Sequence, residues 1–265
     1  MFGYNEMFQR NLGILTVDQQ MTLRGTKVAI AGVGGVGGIA AERLARLGIG
    51  SLRIADPEVF EPSNINRQFG SGMSTLGSNK ADTVGQSLRD INPSLDLEVW
   101  QDGITPANVN RFVSKADAIV DEVEYGYLDV SVALHRAARL HGKYVMFALA
   151  IGFGSTLFVF DPDGMTFEQY ISLPAGATDE EIRAFHIPVE KMCPSPPDYA
   201  DPQMAEKIIK GEQAYMPTVS VGCSVAGSLI VAEVAAIILN LRKPRVIPDC
   251  TTIDLIRQAV TICRP

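Results

Sequence analysis

The feature that most constrains this chain is a short apolar run, Lys27 to Ala31, that passes without a spacer into Gly32-Val33-Gly34-Gly35-Val36-Gly37-Gly38. Beyond the glycines, Val36, Ile39, Ala40, Leu44 and Leu47 recur at helical spacing and Gly48 and Gly50 stop the helix. Ser51 to Ala55 then reads as a second strand ending at Asp56-Pro57. Strand, glycine turn, helix and strand in this order form a β-α-β unit, and such units close on a parallel sheet. The alternation continues, with helices predicted at 80–90, 105–113 and 128–141 and strands at 95–100, 117–121 and 144–149. The chain is therefore read as α/β, Rossmann-like and doubly wound, with a mainly parallel sheet up to about residue 150. Ser155 to Phe160, the turn Asp161-Pro162-Asp163-Gly164 and a β-like tail over 251–262 add antiparallel strands in the C-terminal part.

Three stretches stand outside that alternation. Residues 5–24 read as a polar helix with a second start capped by Thr16. Residues 173–217 read as irregular and proline-rich, with one short helix near 204–210, and a connection of that length is usually functional. The stretch 221–239 reads as a long apolar helix; Glu233 and its glycines and serines favour a buried or interface helix over a membrane span.

The glycines and the residues just beyond them carry the chemistry. Gly32, Gly34 and Gly37, between a strand and a helix, let the backbone turn tightly and set amide groups against a phosphate. Asp56 lies at the spacing of about 20 residues where a carboxylate accepts hydrogen bonds from a ribose. This pattern does not separate NAD from ATP. Arg67 lies past the end of the second strand and Lys80 opens the next helix. Two fixed cations beside a nucleotide loop suit a triphosphate, whose charge rises on the leaving pyrophosphate when a carboxylate attacks the α-phosphorus, whereas hydride transfer needs no such clamp.

Composition narrows the partners. The 265 residues carry a net charge of −7, which opposes attachment to nucleic acid or to anionic membrane. The start Met-Phe-Gly-Tyr-Asn-Glu has no signal-peptide character, so a soluble protein of the cytoplasm is expected. Cys193, Cys223, Cys250 and Cys263 are scattered and form no Cys-x-x-Cys, so no zinc is expected.

Gly-x-Gly-Gly-x-Gly, a strand-ending Asp, then Ser63-Asn64-Ile65-Asn66-Arg67-Gln68 and Lys80 together resemble the ThiF/MoeB/HesA family, bacterial relatives of the ubiquitin-activating enzymes. The likeness runs from about Phe8 to Asn240 and weakens after residue 125. It implies an ATP- and magnesium-dependent adenylyltransferase that activates the C-terminal carboxylate of a small ubiquitin-like protein or a related peptide, working as a homodimer. It implies one adenylation domain over 1–265, with a nucleotide-binding half at 1–150 and a substrate and dimer half at 151–265. Gly35 and Asp56 become nucleotide contacts, and Asn64, Arg67 and Lys80 surround the phosphates. Arg10 resembles the N-terminal arginine that reaches the partner subunit's ATP. Without the resemblance, Arg10 is an exposed charge, Asn64 and Asn66 are turn formers, and Lys80 is a solvated helix start.

Two departures from the family pattern stand out. Where the family places Asp-Asn after its fourth strand, this chain has Glu124-Tyr125, which keeps a hard oxygen ligand for magnesium on a side chain one methylene longer. The family's zinc-binding cysteine pairs are missing. Cys193, in the irregular stretch beside Lys191, stands where some relatives carry a thioester-forming cysteine, and a proline-rich exposed setting there favours a thiolate. The competing readings are a catalytically degenerate nucleotide-binding scaffold and a NAD-binding oxidoreductase, since fold alone does not separate them.

Overall fold

The computed structural model describes residues 3–201, 203, 204, 207 and 215–265. Among these, eight strands form one sheet in the order β3-β2-β1-β4-β5-β6-β7-β8: β1 (Lys27–Ala31), β2 (Ser51–Ala55), β3 (Asp96–Trp100), β4 (Ala118–Asp121), β5 (Val145–Ile151), β6 (Gly154–Phe160), β7 (Cys250–Asp254) and β8 (Ala259–Cys263). The first five are parallel; β5 to β8 pair antiparallel as successive neighbours. β1 lies at the centre of the parallel part, and Val28, Ala29, Ile30 and Ala31 are fully buried, as expected of a strand covered on both faces.

Two apolar layers flank the sheet. On one face lie α2 (Val17–Gly25), α3 (Gly37–Leu47), α4 (Lys80–Ile91) and the long α10 (Ser220–Ile238), with Ile39, Leu44, Val84, Leu88, Ile230 and Val234 in a common core. On the other lie α5 (Val109–Val113), α6 (Leu128–Leu140), α7 (Phe167–Ile171) and α8 (Asp179–Ala184), around Phe112, Leu134, Phe158, Tyr170 and Ile182. Among the described residues, the sequence also forms the short helices α1 (Tyr4–Met7) and α9 (Val189–Met192).

Three expectations change. The polar helix over 5–24 is interrupted: α1 and a 3-10 turn at Gln9–Asn11 end before Gly13, whose φ is +103°, and α2 starts afresh at Thr16, which forms a capping box with Gln19. The helix expected from Thr105 begins only at Val109, because Asn108 Oδ1 accepts the Thr105 N–H and holds a turn first. The stretch 173–217 contains α8 and α9, each too short for periodicity to reveal; the helix expected at 204–210 falls mostly outside the described residues. The β-like tail over 251–262 forms the β7–β8 hairpin, as expected.

α10 is long and apolar enough to cross a membrane by length and composition, but half of it is buried within this fold. Its glycines serve internal contacts. A Cβ on Gly222 would lie 2.6 Å from the Gly152 carbonyl oxygen, and one on Gly227 would lie 2.7 Å from Ile39. The face that carries Gly222 and Gly227 is thus packed against the β5–β6 hairpin and α3. Val221, Ser228 and Ala232 remain on its outward side.

Candidate functional site

The site is built where β1, β2 and β4 end. Gly32 has φ +86°, in the left-handed region that L side chains rarely enter, and any Cβ there would overlap the Glu122 carbonyl oxygen. Gly37 opens α3 with its Cα against Gly32 and the Glu122 side chain, so the turn tolerates no side chain at either end. Asp56 fixes the turn from the β2 side: Oδ2 accepts the Val33 N–H at 2.9 Å and Oδ1 accepts the Glu58 N–H at 2.9 Å. Burial pushes the Asp56 carboxyl pKa up, and the two backbone donors pull against that rise. Each oxygen keeps a second lone pair for a ribose hydroxyl.

The predicted cations lie on either side of this frame. Arg67 lies against Gly35, and its Nη1 donates to Ser63 O and Asn66 Oδ1, both at 2.9 Å. Asn66 in turn donates to Thr218 O at 3.0 Å, which ties the Arg67 segment to the approach to α10. Lys80 is 4% exposed and donates to Glu58 Oε2 at 2.6 Å. It is not the solvated helix start of the bare reading; Glu58 holds its ammonium two residues beyond Asp56. Asn64 is buried and builds a turn, its Oδ1 accepting the Glu61 N–H at 3.0 Å, while Arg67 N donates to Asn64 O at 3.1 Å. Gly32, Gly34, Gly35, Gly37, Asp56, Asn64, Arg67 and Lys80 therefore form one connected frame.

Arg10 does not join it. Asn11 Nδ2 donates to Leu47 O at the C-terminal end of α3, while the glycine turn meets the opposite end of that helix. At 1.5 Å per residue the two ends are separated by roughly 16 Å. Arg10 is exposed and belongs to the far end of the fold.

Cys193 departs from expectation. It ends α9 and is half-buried, and burial raises its thiol pKa above the ordinary value, so the surroundings do not favour a thiolate. The cation counted on to help is engaged elsewhere: Lys191 Nζ donates to the main-chain oxygen of Pro265 at 2.9 Å and lies 5.5 Å from the Tyr170 ring centroid. Glu124 is exposed at the start of a turn, with Tyr127 N donating to its carbonyl. Among the described residues no three His, Cys, Asp or Glu side chains converge as a metal cluster.

Three neighbours escaped the sequence reading. Glu58 pairs with Lys80. Cys223 is buried and lies beneath Gly35: a Cβ on that glycine would sit 3.1 Å from its sulfur. Burial pushes the Cys223 thiol up to about 11 against the opposing pull of Arg67. Glu122 lies under the glycine turn, and its Oε1 accepts the Ala148 N–H at 2.9 Å. The signal for Glu122 was present, since an acid directly after the strand beside β1 must end near the glycines. A separate apolar groove, lined by Val109, Val132, Leu140 and Ile182, lies on the opposite face and takes none of these residues.

Known proteins resemble this chain in sequence and in fold. The chain is 32% identical over 124 residues to the adenylyltransferase and sulfurtransferase UBA4 of Lodderomyces elongisporus, covering 45% of this chain and 27% of that one. It is 39% identical over 90 residues to the tRNA threonylcarbamoyladenosine dehydratase of Bacillus subtilis, covering 34% and 35%. These matches thus span well under half the length of those relatives. Among solved structures, Escherichia coli MccB with ATP superposes with a TM-score of 0.73 at 18% identity over 98% of this chain and 71% of that one. PaaA gives 0.72 at 19% identity over 100% and 74%. Likeness at that level of identity concerns the fold. The family model described as ThiF family matches residues 8–265, nearly the whole chain, and with the glycine turn, Asp56, Arg67 and Lys80 in one frame, the chain belongs to the ThiF family.

Proposed function

We propose that this protein is an ATP-dependent adenylyltransferase that activates the C-terminal carboxylate of a small ubiquitin-like protein or peptide. The observation that carries the reading is the pair of cations on the glycine frame, Arg67 against Gly35 and Lys80 held by Glu58 next to Asp56. In the reaction a substrate carboxylate oxygen bonds to the α-phosphorus of ATP as the bond to pyrophosphate breaks, giving an acyl adenylate. No protein group needs to move a proton. Glycine-turn amides and the α3 N-terminus bind phosphate, Asp56 holds the ribose, and Arg67 and Lys80 meet the negative charge that grows on the leaving pyrophosphate, so positioning and electrostatics supply the rate. The relatives support the carboxylate class: UBA4 is an adenylyltransferase and sulfurtransferase, another relative is the SAMP-activating enzyme E1 of Haloferax volcanii, and Escherichia coli MccB has been solved with AMPCPP and MccA.

Magnesium fits this reading through Glu124, an exposed carboxylate with no ion pair among the described residues; a triphosphate supplies most of the other ligands. Bound magnesium neutralises phosphate charge. Glu124→Gln is expected to raise the magnesium concentration needed for half-maximal activity, and an unchanged requirement removes Glu124 from this role. Arg10, remote from its own glycine turn, fits a homodimer in which it reaches the partner's nucleotide. Light scattering that reports a monomer at micromolar concentration excludes that arrangement. The protein is proposed to act in the cytoplasm, without nucleic acid, membrane or zinc; Cys193 retains a thioester role only if Cys193→Ser abolishes transfer while sparing adenylation.

The deciding experiment is ATP/pyrophosphate exchange with small proteins and peptides ending in a free carboxylate. Exchange dependent on one of them supports the proposal. ATP binding without exchange on any substrate favours the degenerate scaffold, and NAD bound more tightly than magnesium-ATP favours the oxidoreductase.

A further inference from the structure

β4 and β5 stop pairing just where the site opens. Their register runs through Ile119↔Val145 and Val120↔Met146 and then ends, whereas the β1–β4 ladder continues to Glu122 N, which donates to Ala31 O at 2.7 Å. β5 continues to Ile151, so the Ala148 N–H faces a gap in the ladder, and Ala148 is only 1% exposed. A buried donor left without an acceptor costs about 1–3 kcal/mol. Glu122 fills the gap. Its Oε1 accepts that N–H at 2.9 Å, a side-chain rung that continues the β4–β5 ladder by one step.

The same residue supports the glycine turn. Its carbonyl oxygen occupies the space a Gly32 side chain would take, and its Cβ would lie 3.2 Å from a Cβ on Gly37. Asp121, one position earlier and facing the other side of the sheet, is anchored independently: Oδ1 accepts from Val123 N at 3.2 Å and from Ser131 Oγ at 3.3 Å, and Oδ2 lies 3.3 Å from His135 Nε2. The end of β4 is thus fastened on one face to α6 and on the other to β5. Only the second fastening runs beneath the nucleotide turn.

We propose that Glu122 is a positioning residue for the nucleotide: by bridging β4 to the Ala148 amide, its carboxyl group holds the floor on which Gly32 to Gly37 rest. The inference rests on the reading of that turn as the ATP site. It assigns Glu122 a hydrogen-bond acceptor's role, which a neutral amide also performs.

The test compares wild type, E122Q and E122A in the full chain, by titration with magnesium-ATP and by amide hydrogen exchange. E122A is expected to weaken magnesium-ATP binding about tenfold, the equivalent of one buried donor left unmade. It is also expected to speed exchange at Ala148 and across Gly34 to Gly37, with protection in β1 and β2 preserved. E122Q, whose side-chain oxygen accepts the same N–H, is expected to recover most of the affinity and the protection. Unaltered Ala148 exchange in E122A overturns the bridge, and faster exchange with undiminished ATP affinity overturns the positioning role. E122Q behaving like E122A shows that the charge is needed and rejects the acceptor's role. If wild type binds no ATP, the functional reading fails and takes this inference with it; if wild type binds and E122A binds equally well, only this inference fails.

Discussion

Replacing Arg67 with alanine is expected to lower carboxylate-dependent ATP/pyrophosphate exchange by about 100- to 1,000-fold, the loss typical of removing one preorganised group that stabilises transition-state charge. Arg67 is suited to that role because it is fixed before nucleotide arrives: Nη1 is held by Ser63 O and Asn66 Oδ1, and the side chain lies along Gly35. Little reorganisation remains to be done in the reaction. Arg67→Lys keeps the charge but loses the planar fork, so it should recover only part of the rate. Because Arg67 is half-exposed and its two bonds are local, the thermal midpoint should move little. Exchange in Arg67→Ala at the wild-type rate rejects the assignment, and a collapse of the midpoint assigns the loss to folding instead.

How much of this is legible in the sequence depends on which interactions are local. The β1–glycine–α3–β2 unit is legible because every signal lies within about 30 residues: an apolar run, glycines in fixed order, a helical period and a strand-ending acid. The extent of β1 and β2 agrees with that reading, and the turn forms where the glycines stand. The N-terminal break is legible on its far side only, where Thr16 marks a second helical start; the polar pattern around Gly13 does not show where the first helix ends. α8 and α9 have six and four residues, below the length at which periodicity separates a helix from a loop.

The site divides along the same line. Asp56, Arg67 and Lys80 are found through motif spacing and Glu58 joins them through Lys80, whereas Glu122 and Cys223 are in the site because of tertiary packing. Glu122 meets Ala148 and Cys223 meets Gly35, contacts that require the strand order and the placement of α10. Cys193 shows the opposite error. A proline-rich stretch suggests exposure, but packing around α9 half-buries the thiol and Lys191 is drawn away to Pro265.

The largest stability effect is expected at Arg53, outside the site. It is 5% exposed in the middle of β2, directly opposite Glu98 in the β2–β3 register. Nε and Nη2 each donate to a Glu98 oxygen at 2.8 Å, a two-pronged pair, and Nη1 donates to the carbonyls of Arg111, Phe112 and Ser114 at the end of α5. One guanidinium thus ties the edge of the parallel sheet to a helix end. Arg53→Met keeps much of the apolar stem but leaves those buried carbonyls without a donor, and should cost about 3 kcal/mol. That corresponds to a midpoint lower by on the order of 10 °C. The Glu98 carboxyl supplies the pH signature: Arg53 foremost, with Lys27, holds its pKa down to about 2. A carboxyl lowered on folding adds stability above its unfolded value near 4.5, and that contribution is lost as pH falls through the folded value. Glu98→Gln should therefore be less stable than wild type at neutral pH, by about 1 kcal/mol given its partial exposure, with the gap closing below about pH 4. Thermal melts between pH 2.5 and 7 measure both variants, and a gap that widens towards acid pH contradicts the assigned pairing.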